Sequence, residues 1–376
     1  MRIAMLVSGG VDSAVALDRL VAEGHDIHLY YIRIGMDNGE GDCSADEDIE
    51  ICTLLARKYS LPLDVVSLHE EYWEYVMEYT LRTVKEGLTP HPDMMCNKLI
   101  KFGLFEERYG HLYDKTATGH YAAIREIDGR LFLATAPDPV KDQTDFLAQI
   151  SYSQLSHLMF PLGKLTKAEV RRLAKEACLP NSQRKDSQGI CFLGKIDYSD
   201  FLERKLGTKQ GAVVDIATGR KIGIHRGYWF YTIGQRKGLG LSGGPWFVVR
   251  KNVRDNVVYV ANGYDTPKQY GRIINVSNMN WITCDPLEGK DDGRLRMAIK
   301  TRHTPHFTDA WIRRGKADDI EIETEEPVQG IAPGQYAIVY TPDRALCLGS
   351  GMIVAPERHR RIPKNKEATT ENGTTT

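Results

Sequence analysis

The chain has 376 residues, a formal net charge of −1, 42% hydrophobic and 26% charged residues, ordinary values for a folded globular protein and enough chain for two or three domains. Near-neutral charge gives no global attraction to nucleic acid, so any RNA contact must come from local basic patches. No apolar run approaches the ~20 residues that span a bilayer, and the first residues enter a strand without a secretion-signal pattern, so no membrane association and a cytoplasmic protein are expected.

Ile3–Val7 is a short apolar run of buried-strand length. Ser8-Gly9-Gly10-Val11-Asp12-Ser13 follows, and then a helical pattern (Val15, Leu17, Leu20, Val21) that ends at Gly24. The two glycines permit a sharp turn, and Asp12 and Ser13 are good N-cap types. A strand thus feeds a bare-backbone loop into a helix N-terminus, where free N–H groups and the helix dipole favour phosphate. No Gly-Lys-Ser/Thr closes the loop, which excludes a Walker A motif. The later half-match Gly189-x4-Gly194-Lys195 ends in Ile196, which has no hydroxyl for magnesium.

Alternation continues to about residue 205. Strands are expected at Ile27–Ile34, Leu63–Leu68 and Lys115–Thr118, and helices at Asp46–Tyr59, Tyr72–Val84, Leu99–Tyr109, Gln154–Met159, Lys167–Ala177 and Tyr198–Lys205. Such alternation implies an α/β fold, a parallel sheet with helices on both faces, and a ligand beyond the carboxyl ends of the strands. From Gly207 to about Gly244 glycine is dense, and Gly234–Gly240 carries Arg236 and Lys237. After about Arg272 the pattern turns to short β-like segments (Leu295–Lys300, Phe307–Arg313, Ile320–Glu323, Tyr336–Tyr340, Gly351–Val354), as in a small antiparallel β-barrel. The divisions read 1–205, 206–271 and 272–357, with 358–376 a polar, disordered tail.

Cysteines stand at 43, 52, 96, 178, 191, 284 and 347, an odd number with no Cys-x-x-Cys pair. That supports neither a disulfide framework nor a structural metal site, and no metal ligands are assigned. Cys96, in His91-Pro92-Asp93-Met94-Met95-Cys96-Asn97-Lys98, falls just before a predicted helix and near Lys98 and Lys101, a setting that favours thiolate. Cys191, after Arg184, Lys185 and Gly189, reads as a loop cysteine with freedom to move. For both, a purely structural cysteine remains open. Cys52 and Cys178 fall in predicted helices as packing residues. Gly119, in Thr118-Gly119-His120-Tyr121, allows close approach of a ligand at a strand end. His120 reads either as a base or phosphate contact or as a structural histidine. Lys141-Asp142-Gln143 reads as a polar loop.

Taken together, these motifs resemble the tRNA-specific 2-thiouridylases from Ile3 to about Val354. Further matching segments are Asp186-Ser187…Gly189-Ile190-Cys191-Phe192, Gly234–Gly240, Lys300-Thr301-Arg302 and Pro333-Gly334-Gln335. The resemblance implies a pyrophosphate-loop ATPase domain, a small central domain and a C-terminal antiparallel barrel. It implies that ATP, with Mg2+, adenylates the C2 oxygen of the wobble uridine of a tRNA anticodon. Cys191 would carry a persulfide from a sulfur-donor protein, either a cysteine desulfurase or a sulfur-relay carrier. Cys96 would be the second thiol, able to end in a disulfide with Cys191, and Asp12 would contribute in the loop. ATP would be held by Leu6, Val7, Ser8, Gly9, Gly10, Val11, Asp12, Ser13, Ile32 and Gly119. The RNA contacts implied are His91, Pro92, Asp93, His120, Lys141, Asp142, Gln143, Arg302, His303 and Gln335, with the protein acting as a monomer.

The sequence departs from the family at His91 (usually Asn), at Ile32 (usually Met beside adenine) and at His303 (usually Tyr). Three alternatives stand beside this reading: another adenylating ligase of the same loop class, a paralogue thiolating a different RNA position, and a non-catalytic RNA-binding protein. Only the thiouridylase readings require both thiols.

Overall fold

The structure is a computed structural model that describes residues 1–35, 43–186, 198–264, 267–290, 293–316 and 319–355. Cys191 and the expected tail at 358–376 lie outside the described residues.

The first part of the chain contributes strands β1 (Arg2–Leu6), β2 (Asp26–Arg33), β3 (Leu63–Ser67), β4 (Lys115–Ala117), β5 (Ala123–Ile127), β6 (Arg130–Ala134) and β7 (Leu158–Met159). Five of them form a parallel sheet in the order β3-β2-β1-β4-β7. Successive side chains of a strand point to opposite faces. Accordingly Ile3, Met5 and Val7 enter one core with Ala14, Val15, Leu17 and Leu20 of helix α1 (Val11–Ala22) and Cys52, Leu55 and Ala56 of helix α2 (Cys43–Tyr59). Ala4 and Leu6 enter the other, with Tyr72, Val76, Cys96, Ile100, Phe102 and Phe105 from helical segments at 69–85 and 92–108. Both of those segments contain a π-helical stretch, Trp73–Met77 and Cys96–Leu104.

Two expectations shift. The helix expected from Leu99 begins at Pro92, because proline suits the first helical position and the His91 ring accepts the Met94 N–H at 3.4 Å. Cys96 therefore lies inside the helix rather than before it. The helix expected over Gln154–Met159 occupies Tyr152–His157, opened by a Ser151–Gln154 capping box, and its last two expected residues become β7.

Strands β8 (Gly211–Asp215), β9 (Lys221–His225), β10 (Trp246–Asn252) and β11 (Val257–Asn262) form a separate sheet in the order β10-β11-β8-β9. Then come β12 (Tyr270–Trp281), β13 (Leu295–Lys300), β14 (Thr308–Arg314), β15 (Ile320–Gln329), β16 (Tyr336–Tyr340) and β17 (Leu346–Val354). Their antiparallel order β12-β15-β14-β13-β16-β17, closed by β12 against β17, makes a six-stranded barrel around Ile299, Ile312, Ile322 and Val339. The hairpin β5–β6 extends this barrel sheet: β6 pairs with β17 through Ala134–Leu346 and Leu133–Cys347. The nucleotide-loop part and the barrel are thus joined by main-chain pairing.

Candidate active site

The loop Ser8–Ser13 sits at the carboxyl end of the central strand β1. Gly10, not Asp12 or Ser13, is the N-cap of α1, and no side chain caps the helix. Ser13 Oγ instead donates to the Gly10 carbonyl at 3.0 Å and accepts the Ser8 N–H at 3.2 Å, closing the loop on itself. The first N–H groups of α1 are left for a ligand. Gly9 has φ +70°, and a side chain there would meet the Asp48 Cα at 2.9 Å. Its carbonyl is held by Asn181 Nδ2 at 2.8 Å and Arg184 Nη1 at 3.1 Å. Gly119 closes the other side: a Cβ there would lie 2.7 Å from the Ser13 nitrogen. Ile32 lies at the carboxyl end of β2, beyond the Leu6–Tyr30 pair that ends the β1–β2 register.

Behind the loop is an ionic network. Asp12 accepts Lys167 Nζ at 2.7 and 2.9 Å and the Tyr121 hydroxyl at 2.8 Å. Lys167 also meets Asp186 at 2.8 Å, as does Lys141, and Arg171 donates to the same carboxylate. Burial alone would raise the Asp186 carboxyl, but the bonds from Lys141 and Lys167 hold it well below the usual range. Beside Asp12, burial and that carboxylate push the Tyr121 phenol far up, so it stays a donor. A third carboxylate, Asp138, accepts the Lys167 main-chain N–H at 3.0 Å, so Lys141, Lys167 and Arg171 are matched by Asp12, Asp138 and Asp186.

Cys96 is 4% exposed and belongs to the same apolar cluster as Leu6. It opens the π-helical stretch, a distortion frequent at functional sites. Pro92 is buried beside it, and Asp93 is partly exposed. His91, Phe146 and His303 form one aromatic group, with ring centroids 5.6 Å apart for His91–Phe146 and 4.7 Å for Phe146–His303. Gln335 Nε2 donates to the Pro90 carbonyl at 2.9 Å. Arg302, exposed, donates to the Gln329 and Gly330 carbonyls. Candidates from both ends of the chain, His91, His303 and Gln335, thereby meet at the junction of the first part and the barrel.

Other candidates take different places. Asp142 is 2% exposed and paired with buried Lys300 at 3.3 Å, so its side chain is an interior group and not a surface contact. Lys141 and Gln143 remain partly exposed, the first on Asp186 and the second accepting the Tyr121 N–H at 2.9 Å. His120 stands apart from the His91 group, near Phe102 and Phe160. Burial, with Lys101 nearby, lowers its pKa to about 3, so the ring is neutral. Cys52 is fully buried and its thiol is pushed up to about 12. Cys178, expected in a helix interior, is exposed at φ +49° just past the end of Lys167–Glu176.

Lys167, Arg171, Asn181 and Asp186 were not singled out by sequence reasoning as loop partners. The Thr166-x-x-Glu169 capping box marks Lys167 as a helix start, but nothing local points that side chain at a loop 155 residues away.

Family profiles match three consecutive stretches. One described as a tRNA methyl transferase HUP domain covers residues 1–195, one described as a tRNA methyl transferase PRC-barrel domain covers 199–262, and one described as an aminomethyltransferase beta-barrel domain covers 271–353. Among full-length relatives, the tRNA-specific 2-thiouridylase MnmA of Parabacteroides distasonis is 57% identical over 356 residues, 94% of this chain and 99% of that protein. The protein of the same description from Porphyromonas gingivalis is 56% identical over 358 residues, with the same coverage. The tRNA-specific 2-thiouridylase MnmA 1 of Bacteroides thetaiotaomicron is 54% identical over 355 residues, again covering 94% of this chain and 99% of its own length.

Proposed function

The chain belongs to the tRNA-specific 2-thiouridylase family, and from that premise we propose that it adenylates the C2 oxygen of the wobble uridine and replaces that oxygen with sulfur held by Cys191. The observation that carries this reading is the Ser8–Ser13 loop, which ends the central strand and presents α1 uncapped by any side chain. ATP placed there puts its phosphates on the free N–H groups and the positive helix end. The C2 carbonyl of uracil resists displacement. Its oxygen attacks the α-phosphorus, the bridging Pα–O bond breaks, pyrophosphate leaves, and the N3 proton is lost. The terminal persulfide sulfur on Cys191 then bonds to C2, and AMP leaves with the former carbonyl oxygen. The Cys96 thiolate next attacks the Cys191 sulfur, forming a disulfide and leaving sulfur on the base. A cellular thiol must reduce that disulfide, and a cysteine desulfurase or relay carrier must reload Cys191.

Magnesium fits as an ion carried in on the phosphates, whose charge it would neutralise. Among the described residues no group of three or more candidate ligands stands ready to cage a cation, and Asp12 is the loop's carboxylate. Adenylation is assigned to residues 1–205. RNA is held by 206–271 and 272–357 together with His91, Asp93, His120, Lys141, Gln143, Arg302, His303 and Gln335, and the target base is splayed from its stack against Pro92 and Asp93. The protein acts as a monomer. No helix of the described residues is long and apolar enough to cross a membrane.

The test is thiolation of anticodon tRNA by the purified protein with ATP and a persulfide donor, read by nucleoside mass spectrometry and pyrophosphate release. The wild type should make 2-thiouridine with AMP and pyrophosphate in equal amounts. Cys96→Ser should keep tRNA-dependent pyrophosphate release and lose the thiolated base. Undiminished thiolation by Cys96→Ser would remove the two-thiol mechanism.

A further inference from the structure

Adenylation and sulfur transfer make no use of the segment Gly234–Gly240, which carries Arg236 and Lys237. The structure builds it as a fixed loop. The Gly234 N–H donates to the Val248 carbonyl at 2.8 Å and the Val248 N–H to the Gln235 carbonyl at 3.0 Å, which ties the loop to β10. The Gln235 side chain then spans the turn. Its Oε1 accepts the Thr232 N–H at 2.9 Å, and its Nε2 donates to the Lys237 carbonyl at 3.0 Å. Gly234 and Gly238, at φ +87° and +77°, take conformations that a side chain would strain.

What this loop presents is charge. Arg236 and Lys237 are exposed, and no carboxylate among the described residues pairs with either. On the barrel surface, by contrast, Arg294, Arg296 and Arg313 lie on Glu323, Glu325 and Glu321. Arg302 resembles the loop cations, since it is held by the Gln329 and Gly330 carbonyls and not by an acid. It also adjoins the loop: a Cβ on Gly330 would lie 2.5 Å from Arg302 Nη2 and 3.4 Å from the Gly234 Cα. Cations free of carboxylate partners attract a polyanion such as an RNA backbone. Tyr264, two residues past the end of β11, adds a ring beside them and is 58% exposed. The Arg236 guanidinium lies 5.9 Å from its centroid, with Nη1 donating to its hydroxyl at 3.3 Å, and the buried Phe247 ring meets it edge-on at 5.9 Å. A lone exposed aromatic residue is ordinary. One fixed beside unneutralised cations offers what an unpaired nucleotide takes, a π-face for the base and positive charge for its phosphate.

We propose that Tyr264 and Arg236 form a stacking platform for an unpaired nucleotide of the tRNA, with Lys237 and Arg302 on the adjoining phosphates. The inference rests on the tRNA-thiolation reading and adds to it a place on the central domain where the RNA is gripped. Every base has a π-face, so the platform is indifferent to which base it holds. Its contacts are the same before and during the chemical steps, so it acts on KM for tRNA and not on kcat.

The test compares Tyr264→Phe, Tyr264→Leu and the double variant Arg236→Gln with Lys237→Gln. Equilibrium binding of unmodified anticodon tRNA is measured over a series of salt concentrations, alongside ATP binding and pyrophosphate release at varied tRNA. Tyr264→Leu, which keeps apolar bulk and removes the ring, should weaken tRNA binding about 10-fold. It should raise KM for tRNA by the same factor and leave kcat and ATP affinity unchanged. Tyr264→Phe, which keeps the ring, should stay within about twofold of the wild type. The double variant should bind tRNA more weakly and flatten the slope of log affinity against log salt by about 2, whereas Tyr264→Leu should keep the wild-type slope. Wild-type tRNA affinity in Tyr264→Leu, an equal loss of ATP affinity in it, or an unchanged salt slope in the double variant would each overturn the proposal. A wild type that binds no tRNA would overturn both the platform and the thiolation reading. A wild type that binds tRNA through these residues and makes no 2-thiouridine would overturn the thiolation reading alone.

Discussion

Two histidines on either side of Phe146 titrate in opposite directions. His303 Nδ1 lies 2.8 Å from Asp145 Oδ2, whose side chain is 1% exposed, and that hydrogen bond raises the His303 pKa. Burial, the largest effect on His91, lowers its pKa despite Asp93 and Asp145 nearby. Of the two, His303 is therefore the ring whose protonated form the fold favours. A histidine with a raised folded pKa stabilises fully below its unfolded value of about 6.5 and loses that contribution as pH rises through the folded value. The melting temperature of the wild type should thus exceed that of His303→Gln most at about pH 5.5, and the gap should close on the alkaline side of the folded pKa. A gap that widened with pH would refute the pairing. The departure at His303 was visible in the sequence. Its effect was not, because its partner Asp145 lies 158 residues away.

The elements around the loop were legible wherever the signal was local. Ile3–Val7, the glycine turn and the apolar face of α1 are set by neighbours a few residues apart, and β13 and β16 appear with the ends expected of them. Capping was misread because composition favours Asp12 and Ser13, while the glycine at position 10 adopts the extended cap conformation and Ser13 turns inward. Hairpin β5–β6 carries a local signal in its two-residue Asp128-Gly129 turn, and what has no local signal is its pairing with β17, more than 200 residues later. Gly119 was read as room for a ligand, and the structure adds a second constraint on it. A Cβ at Gly119 would stand 2.7 Å from the Ser13 nitrogen and 2.9 Å from the Asp12 carbonyl carbon, both backbone atoms with little freedom to yield. Gly119→Ala should therefore push α1 off the end of β4, at about 1–3 kcal/mol of stability. ATP affinity should fall more than overall folding, since the displaced atoms line the phosphate site. Parallel thermal melts and nucleotide titrations would show it, and unchanged ATP affinity would mean that the loop tolerates the shift.

Across the whole molecule the barrel is locked onto the nucleotide-loop part. Besides the β6–β17 pairing, Lys300 of β13 reaches Asp142 at 3.3 Å, with its ammonium 4.3 Å from the Phe307 ring centroid, and Gln149 Nε2 donates to the Ser350 carbonyl at 2.7 Å. Both Lys300 and Asp142 are almost fully buried, at 1% and 3% side-chain exposure. Burial raises the Asp142 carboxyl in spite of Lys300, so neither charge is comfortable alone. Removing one partner of a buried pair leaves the other unpaired, at about 3–5 kcal/mol, whereas replacing both with apolar groups is often near neutral. Lys300→Met should accordingly lower the urea midpoint sharply, and Lys300→Met with Asp142→Leu should recover only part of it, because the buried Ala136 N–H and Thr144 hydroxyl then lose the carboxylate that accepts from them. The double variant tests function as well. It keeps the Ser8–Ser13 loop and its cations, but it alters the junction that seats Arg302 and His303 two and three residues beyond Lys300. Its ATP affinity should match the wild type while its tRNA affinity falls. Equal losses of both would mean that the barrel supports the nucleotide loop as well as the RNA.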